Sequence, residues 1–308
     1  MHHRPAWMDQ NERGNVLLMN ILVWVALRLG RRGTRILLWP ITFYFFLFAP
    51  VARKAVRSFL ARATNQRPRA RDVYRHLLVF ATTQLDRVYF LNGQLGLFDI
   101  HVYGERELSK ILDLGQGCFL MGSHLGSFEV LRIVGFQKSG IHVSTFMHEE
   151  TARKINSVLR TVNPAIPFEI IAPGHIDSML KVSERLDRGD CIGILADRSL
   201  TDNATVRFPF LGDPADFSVA PFRLAVMLGR PIFFMVGLYR GGNRYDIHFE
   251  QLPCDALTGT KAGSEQALAA YVQSLEYYCR LEPSNWFNFY EFWPLGDGSR
   301  KGGTPEIP

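Results

Sequence analysis

The sequence predicts an α/β protein: a mixed central sheet flanked by helices, preceded by an N-terminal helical segment of different character. Three observations carry this. From residue 97 onward, short apolar runs alternate with stretches whose apolar positions recur at helical spacing. Gly140, Gly174, Gly189 and Gly229 fall where those helices would end or turn. The first 75 residues carry 14 Lys and Arg against 3 Asp and Glu, whereas the remainder carries 21 against 26. A charge of +11 therefore sits on the first quarter and −5 on the rest of a chain whose net charge is +6.

The 308 residues suffice for a substantial core, and 47% hydrophobic with 21% charged residues is ordinary for a globular chain. The 23 Phe are not ordinary, and many cluster toward the two ends. Cys118, Cys191, Cys254 and Cys279 stand far apart without C-x2-C spacing, which points to buried, reduced thiols. The nine His do not group with Cys or Asp at ligand spacing, so neither a metal site nor a cofactor is expected.

Taken in order, residues 1–14 are polar and lack the form of a cleaved secretory signal. Residues 16–29 are apolar and lead into Gly30-Arg31-Arg32; residues 36–51 form a second apolar run, broken by Pro40 and Pro50. Neither run reaches the roughly 20 residues of a comfortable spanning helix. Each has a Trp (Trp24, Trp39) near an end and arginines beside it, the pattern of a membrane interface. The expectation is helices lying on or dipping into a membrane surface, or one marginal span; a pair of buried helices is the competing reading. Basic residues interleaved with aliphatic and aromatic runs suit anionic lipid headgroups better than nucleic acid. Residues 52–75 are a basic stretch, and 75–91 has helical spacing ending at Asn92-Gly93. His76 and His101 are read as structural.

Strands are expected at 97–103, 118–122, 141–147, 167–172, 191–196, 231–239 and 244–252, and helices at 105–114, 127–137, 149–161, 175–188, 218–228 and 262–281. This divides the chain into an N-terminal basic and aromatic region (1–95), an α/β domain (96–296) and a loose Gly/Pro tail (297–308).

Chemistry is expected around residues 117–129, GCFLMGSHLGSFE, a buried strand running through a tight turn into a helix. His124 and Glu129 are five residues apart, about 500° on a regular helix, so they would lie roughly 140° apart there. They meet only if His124 precedes the helix and Glu129 reaches back, which a strand-to-helix junction provides. An imidazole held by a carboxylate at the mouth of a sheet is a general-base arrangement. Three polar points fall just beyond expected strand ends: His124, His148-Glu149 and Asp197-Arg198. Ligands of open α/β sheets bind along that edge. Ser123 and Ser127 are candidate nucleophiles, although each is more readily a helix cap, and no G-x-S-x-G elbow is present.

His124-Leu-Gly-Ser-Phe-Glu129 resembles the H-x4-D/E signature of glycerolipid-type acyltransferases, and most closely that of the late lipid A acyltransferases, the lauroyl and myristoyl transferases. Supporting segments follow in order: Leu195-Ala-Asp-Arg-Ser199, Phe208-Pro-Phe-Leu-Gly-Asp213, Ala220-Pro-Phe-Arg-Leu-Ala225, and Glu282-Pro-Ser-Asn-Trp-Phe-Asn-Phe-Tyr-Glu-Phe-Trp293. The resemblance runs from about residue 15 to 295. It implies acyl transfer from a thioester, on acyl carrier protein rather than coenzyme A, to a hydroxyl of a lipid acceptor at the cytoplasmic face of the inner membrane. His124 would be the base and Glu129 its orienting carboxylate, with backbone N–H groups around Gly122–Ser127 binding the oxyanion and Gly126 and Ser127 contacting substrate. Asp197 and Arg198 match a third family motif and would position the acceptor or support the site. Arg153 would meet a phosphate, although the family's Tyr-Arg-Pro-like run reads Phe146-Met-His-Glu-Glu150 here, which leaves the acceptor open. Two rivals are a non-catalytic lipid-binding protein of the same fold and a serine hydrolase using Ser123 or Ser127.

Overall fold

A computed structural model describes residues 16–139, 142–147, 169–172, 176–198, 205–254 and 260–293. The expected helix 149–161 with Arg153, and the pair His148-Glu149, lie outside the described residues.

The two N-terminal apolar runs are joined into α1 (Val16–Phe48), with Gly30 at φ 67° as the break between them. Pro50 ends the second run and opens α2 (Pro50–Thr64), where its missing N–H costs nothing. α3 (Ala70–Leu91) starts earlier than its apolar spacing suggests, because Asp72 reaches back to accept the Arg69 backbone N–H at 2.7 Å. No single helix among the described residues is long and apolar enough to cross a membrane; α1 from Val23 and α2 qualify only as a pair bent by 94°.

The sheet combines β1 (Asp99–Tyr103), β2 (Phe119–Gly122), β3 (Val143–Phe146), β4 (Ile170–Ile171), β5 (Cys191–Leu195), β8 (Ile232–Gly241) and β9 (Arg244–Leu252). Its order is β1-β9-β8-β2-β5-β3-β4, and only the β8–β9 pair is antiparallel, so the expected mixed sheet stands. An unanticipated two-stranded ribbon, β6 (Thr205–Phe210) with β7 (Asp213–Ser218), follows β5. Helices α4 (Glu105–Asp113), α5 (Phe128–Ser139), α6 (Ile176–Asp187), α7 (Ala220–Met227) and α8 (Thr260–Leu281) complete the described elements.

Two apolar layers sandwich the sheet. On one face Val23, Leu85, Phe90, Leu108 and Val130 of α1, α3, α4 and α5 meet Leu120 and Phe233. On the other, Val182, Phe222 and Tyr271 of α6, α7 and α8 meet Ile192 and Phe234, with Phe59 of α2 and Trp286 at the border. The chain leaves β2 along α5 toward β3 and leaves β5 along α7 toward β8, on opposite faces. The β2–β5 edge is thus where connections diverge, the position at which such sheets open a crevice.

α1 is pinned from below. Arg31 makes a two-pronged contact with Asp86 of α3, both bonds 2.7 Å, and Tyr245 of β9 donates to the same carboxylate at 2.8 Å. Its large apolar side chains mostly face outward: Trp24, Ile36, Trp39, Phe43, Tyr44 and Phe48 are all more than half exposed. No disulfide links the cysteines, and Cys118, Cys191 and Cys279 are buried, as expected; Cys118 and Cys191 lie opposite each other with sulfurs 3.6 Å apart.

His76 of α3 is fully buried among Phe59, Phe287 and Phe289. Burial lowers its pKa from 6.5 to about 4. The unfolded chain therefore binds this proton first, so the folded state loses stability as pH falls from 6.5 toward 4, by roughly 3 kcal/mol. His76→Leu is expected to flatten the pH dependence of the urea midpoint across that window relative to the parent chain. An unchanged slope would mean another group dominates.

Candidate active site

β2 and β5 are adjacent and parallel, with Gly122 opposite Leu195 at their carboxyl ends. Two residues further along each chain stand His124 and Asp197, so the register alone sets them face to face. His124 Nδ1 lies 2.8 Å from Asp197 Oδ1, and the His124 backbone N–H donates to Oδ2 at 3.0 Å. Oδ2 also accepts from Trp286 Nε1 and Asn288 Nδ2, each at 3.1 Å. Asp197 is 2% exposed. Burial alone would raise its pKa, but His124, its hydrogen bonds and the Arg198 charge outweigh that and hold it at about 2. An ionised carboxylate only accepts, so the Nδ1 proton belongs to the imidazole and the Nε2 lone pair is left for chemistry. Nε2 has no partner among the described residues, and 27% of the ring remains exposed. Burial, then the Arg198 charge, lowers the His124 pKa despite Asp197, so the ring is neutral and able to take a proton near pH 7.

The turn carrying His124 is clamped from two sides. Gly126 has φ +72°, and a Cβ there would sit 2.1 Å from the Gly237 carbonyl oxygen, so only glycine allows the turn to dock on β8. The Ser127 N–H donates to that carbonyl, the Gly126 N–H to Asn285 O, and the Phe287 N–H to His124 O, at 2.7–2.8 Å. Asn285 is itself tied to the Tyr239 backbone by both ends of its amide, and Tyr271 donates to Gly122 O at 2.8 Å. Of the N–H groups around Gly122–Ser127 expected to bind an oxyanion, those of Gly126 and Ser127 are spent on protein carbonyls and that of His124 on Asp197.

Glu129 requires a second correction. It lies at the start of α5, 7% exposed, but turns toward α3. Oε1 pairs with Arg87 Nη2 at 2.7 Å and Oε2 with Arg132 Nη2 at 3.2 Å. Asp197, not Glu129, is the carboxylate on His124, because a neighbouring strand delivers it directly whereas Glu129 would have to reverse across the helix start. Glu129→Gln is expected to leave two cations facing each other and cost about 3 kcal/mol, less than the most buried pairs because Arg87 is partly wet. Thermal unfolding measures that loss. The pH at which activity falls off on the acid side should not move, as it would if Glu129 contacted the imidazole.

Arg198 follows Asp197 and is held by its partners: Nε donates to Asn288 Oδ1 at 2.8 Å, Nη2 to Phe287 O at 3.4 Å, and the guanidinium lies 5.4 Å from the Tyr290 ring centroid. Sequence reasoning gave Asp197 to acceptor positioning or support of the site without pairing it to His124, and it did not single out Trp286, Asn285 or Asn288. The signal available for these was the dense aromatic and amide run at 282–293. No group of His, Cys, Asp and Glu able to hold a metal occurs among the described residues.

The pair, the clamp and Arg198 all fall within residues 84–294, which match the family model described as bacterial lipid A biosynthesis acyltransferase. Among curated proteins, none matches the chain. With about two thirds of its length matched, including the whole sheet and the carboxyl-terminal clamp, this chain belongs to the bacterial lipid A biosynthesis acyltransferase family.

Proposed function

We propose that this protein moves a fatty acyl group from a thioester to a hydroxyl of a glycolipid-type acceptor, with His124 as general base and Asp197 as the carboxylate that orients it. The observation that carries the reading is the His124–Asp197 pair, with Nε2 left open at the sheet's crevice. Nε2 removes the acceptor proton as the oxygen attacks the thioester carbonyl. The tetrahedral intermediate collapses, the carbon–sulfur bond breaks, and the imidazolium returns the proton to the departing thiolate. Asp197 remains ionised throughout, stabilising the imidazolium. No covalent enzyme intermediate is required. Ser123 and Ser127 are buried, and no hydrogen bond among the described residues links either hydroxyl to the ring, which favours direct transfer over a serine hydrolase.

The donor proposed is acyl carrier protein, whose acidic surface suits the basic residues of α2, with acyl-coenzyme A second. Residues 1–95 act as the membrane-associating region and 96–296 as the acyltransferase domain, seated at the cytoplasmic face of the inner membrane. The outward aromatic and aliphatic face of α1, with Lys54 and Arg57 exposed beside it on α2, supports that placement. The test incubates purified protein with lauroyl-acyl carrier protein or lauroyl-coenzyme A and lipids extracted from Gram-negative membranes. Mass spectrometry should find a lipid heavier by one acyl chain. Thioester consumed to free fatty acid alone would support a hydrolase, and binding to vesicles without either product the lipid-binding reading.

A further inference from the structure

Acyl transfer needs a donor for the oxyanion that develops on the thioester carbonyl, and the turn beside His124 supplies little. Of the four backbone N–H groups from His124 to Ser127, three are already committed: to Asp197 Oδ2, Asn285 O and Gly237 O. Arg198 stands next to the pair. Its Nε and Nη2 are anchored on Asn288 and Phe287, and Asn288 spans the gap by accepting from Arg198 while donating to Asp197. The guanidinium is thus fixed two hydrogen bonds from the carboxylate that holds the base, with Nη1 unpaired among the described residues. A tethered cation whose charge reaches His124, with a donor unpaired among the described residues, is suited to meet negative charge rather than to form an ion pair, since Asp197 already has four donors of its own.

We propose that Arg198 is the oxyanion donor: its Nη1–H, unpaired among the described residues, bonds the thioester oxygen as the acceptor hydroxyl attacks, and carries the charge of the tetrahedral intermediate. This rests on the transfer reaction proposed above. Arginine is suited to the task because its proton is never lost and its planar fork is held by two other bonds, so little reorganisation accompanies charge development.

The test uses the full chain in detergent micelles, with lauroyl-coenzyme A as donor and the membrane lipid extract as acceptor. Arg198→Gln is expected to lower kcat by about 10²–10³-fold, with KM for donor and acceptor changed by less than about threefold. Arg198→Lys, which keeps the charge and disturbs the clamp least, should recover part of that loss. A second arm follows Trp fluorescence on titration with dodecylphosphonate, an anionic mimic of the tetrahedral centre, against dodecanol. The parent chain should prefer the phosphonate and Arg198→Gln should not, a difference that a merely structural role for Arg198 would not produce. A raised acceptor KM with kcat intact would overturn the proposal, because Arg198 would then grip the acceptor headgroup. Equal binding of phosphonate and alcohol by the parent chain would overturn it as well. If the parent chain transfers to no supplied hydroxyl, the reaction is wrong, and the phosphonate arm still decides Arg198.

Discussion

His124→Ala is expected to lower kcat for acyl transfer by about three to four orders of magnitude, the upper range for loss of a positioned general base. No second base stands by among the described residues. Asp197 is locked in its role by four donated hydrogen bonds, and Glu129 is neutralised by Arg87 and Arg132. A folded, membrane-bound variant is also expected, because the Asp197 carboxylate keeps the His124 backbone N–H, Trp286 and Asn288 as donors. The Ala variant should bind vesicles as the parent chain does, while its thermal midpoint falls by an amount worth about 1–3 kcal/mol for the lost charge-assisted bond. Transfer persisting within tenfold of the parent rate would remove His124 from the mechanism.

Asp197→Asn should be nearly as damaging, about 10⁴-fold in kcat, although it is almost isosteric. Oδ2 of the carboxylate accepts three N–H groups, so the amide oxygen takes that place. The amide nitrogen then faces His124 Nδ1 and donates to it, which moves the imidazole proton to Nε2 and leaves the base capped. The same variant carries a stability signature. With a folded pKa of about 2, below the usual 3.8, Asp197 favours the folded state fully above the ordinary carboxylate range, and that contribution disappears as pH falls toward 2. Asp197→Asn should therefore be less stable than the parent at neutral pH and converge with it in acid. A variant that retains activity, or a gap that does not narrow, would show that the carboxylate is not what orients the ring.

Much of the frame was legible because it rests on local pattern. Strands such as Cys191–Leu195 are uniformly apolar, and the helices between them carry their own spacing and end signals. The junction bearing His124 was visible for the same reason. What failed was everything set by register. Glu129 is near His124 in sequence, and spacing weighs such neighbours first; Asp197 is 73 positions away and meets the ring only because two parallel strands end level. The β6–β7 ribbon went unseen because Pro209 and Pro214 face each other within it, and proline argues against a strand unless the strand lies outside the main sheet. The Asn285–Asn288 clamp depends on a return of the chain from α8 that no short-range rule foretells.

That clamp bears on how the protein matures. Residues 285–293 leave the ribosome after the strands that carry His124 and Asp197, yet they supply two of the four donors on the Asp197 carboxylate and the strand-like brace behind His124. A nascent chain can form α1 and pair β2 with β5 while the Asp197 carboxylate still lacks half of its donors. The site is completed only when this late segment returns from α8, so the sheet is laid down before the carboxylate is fully held.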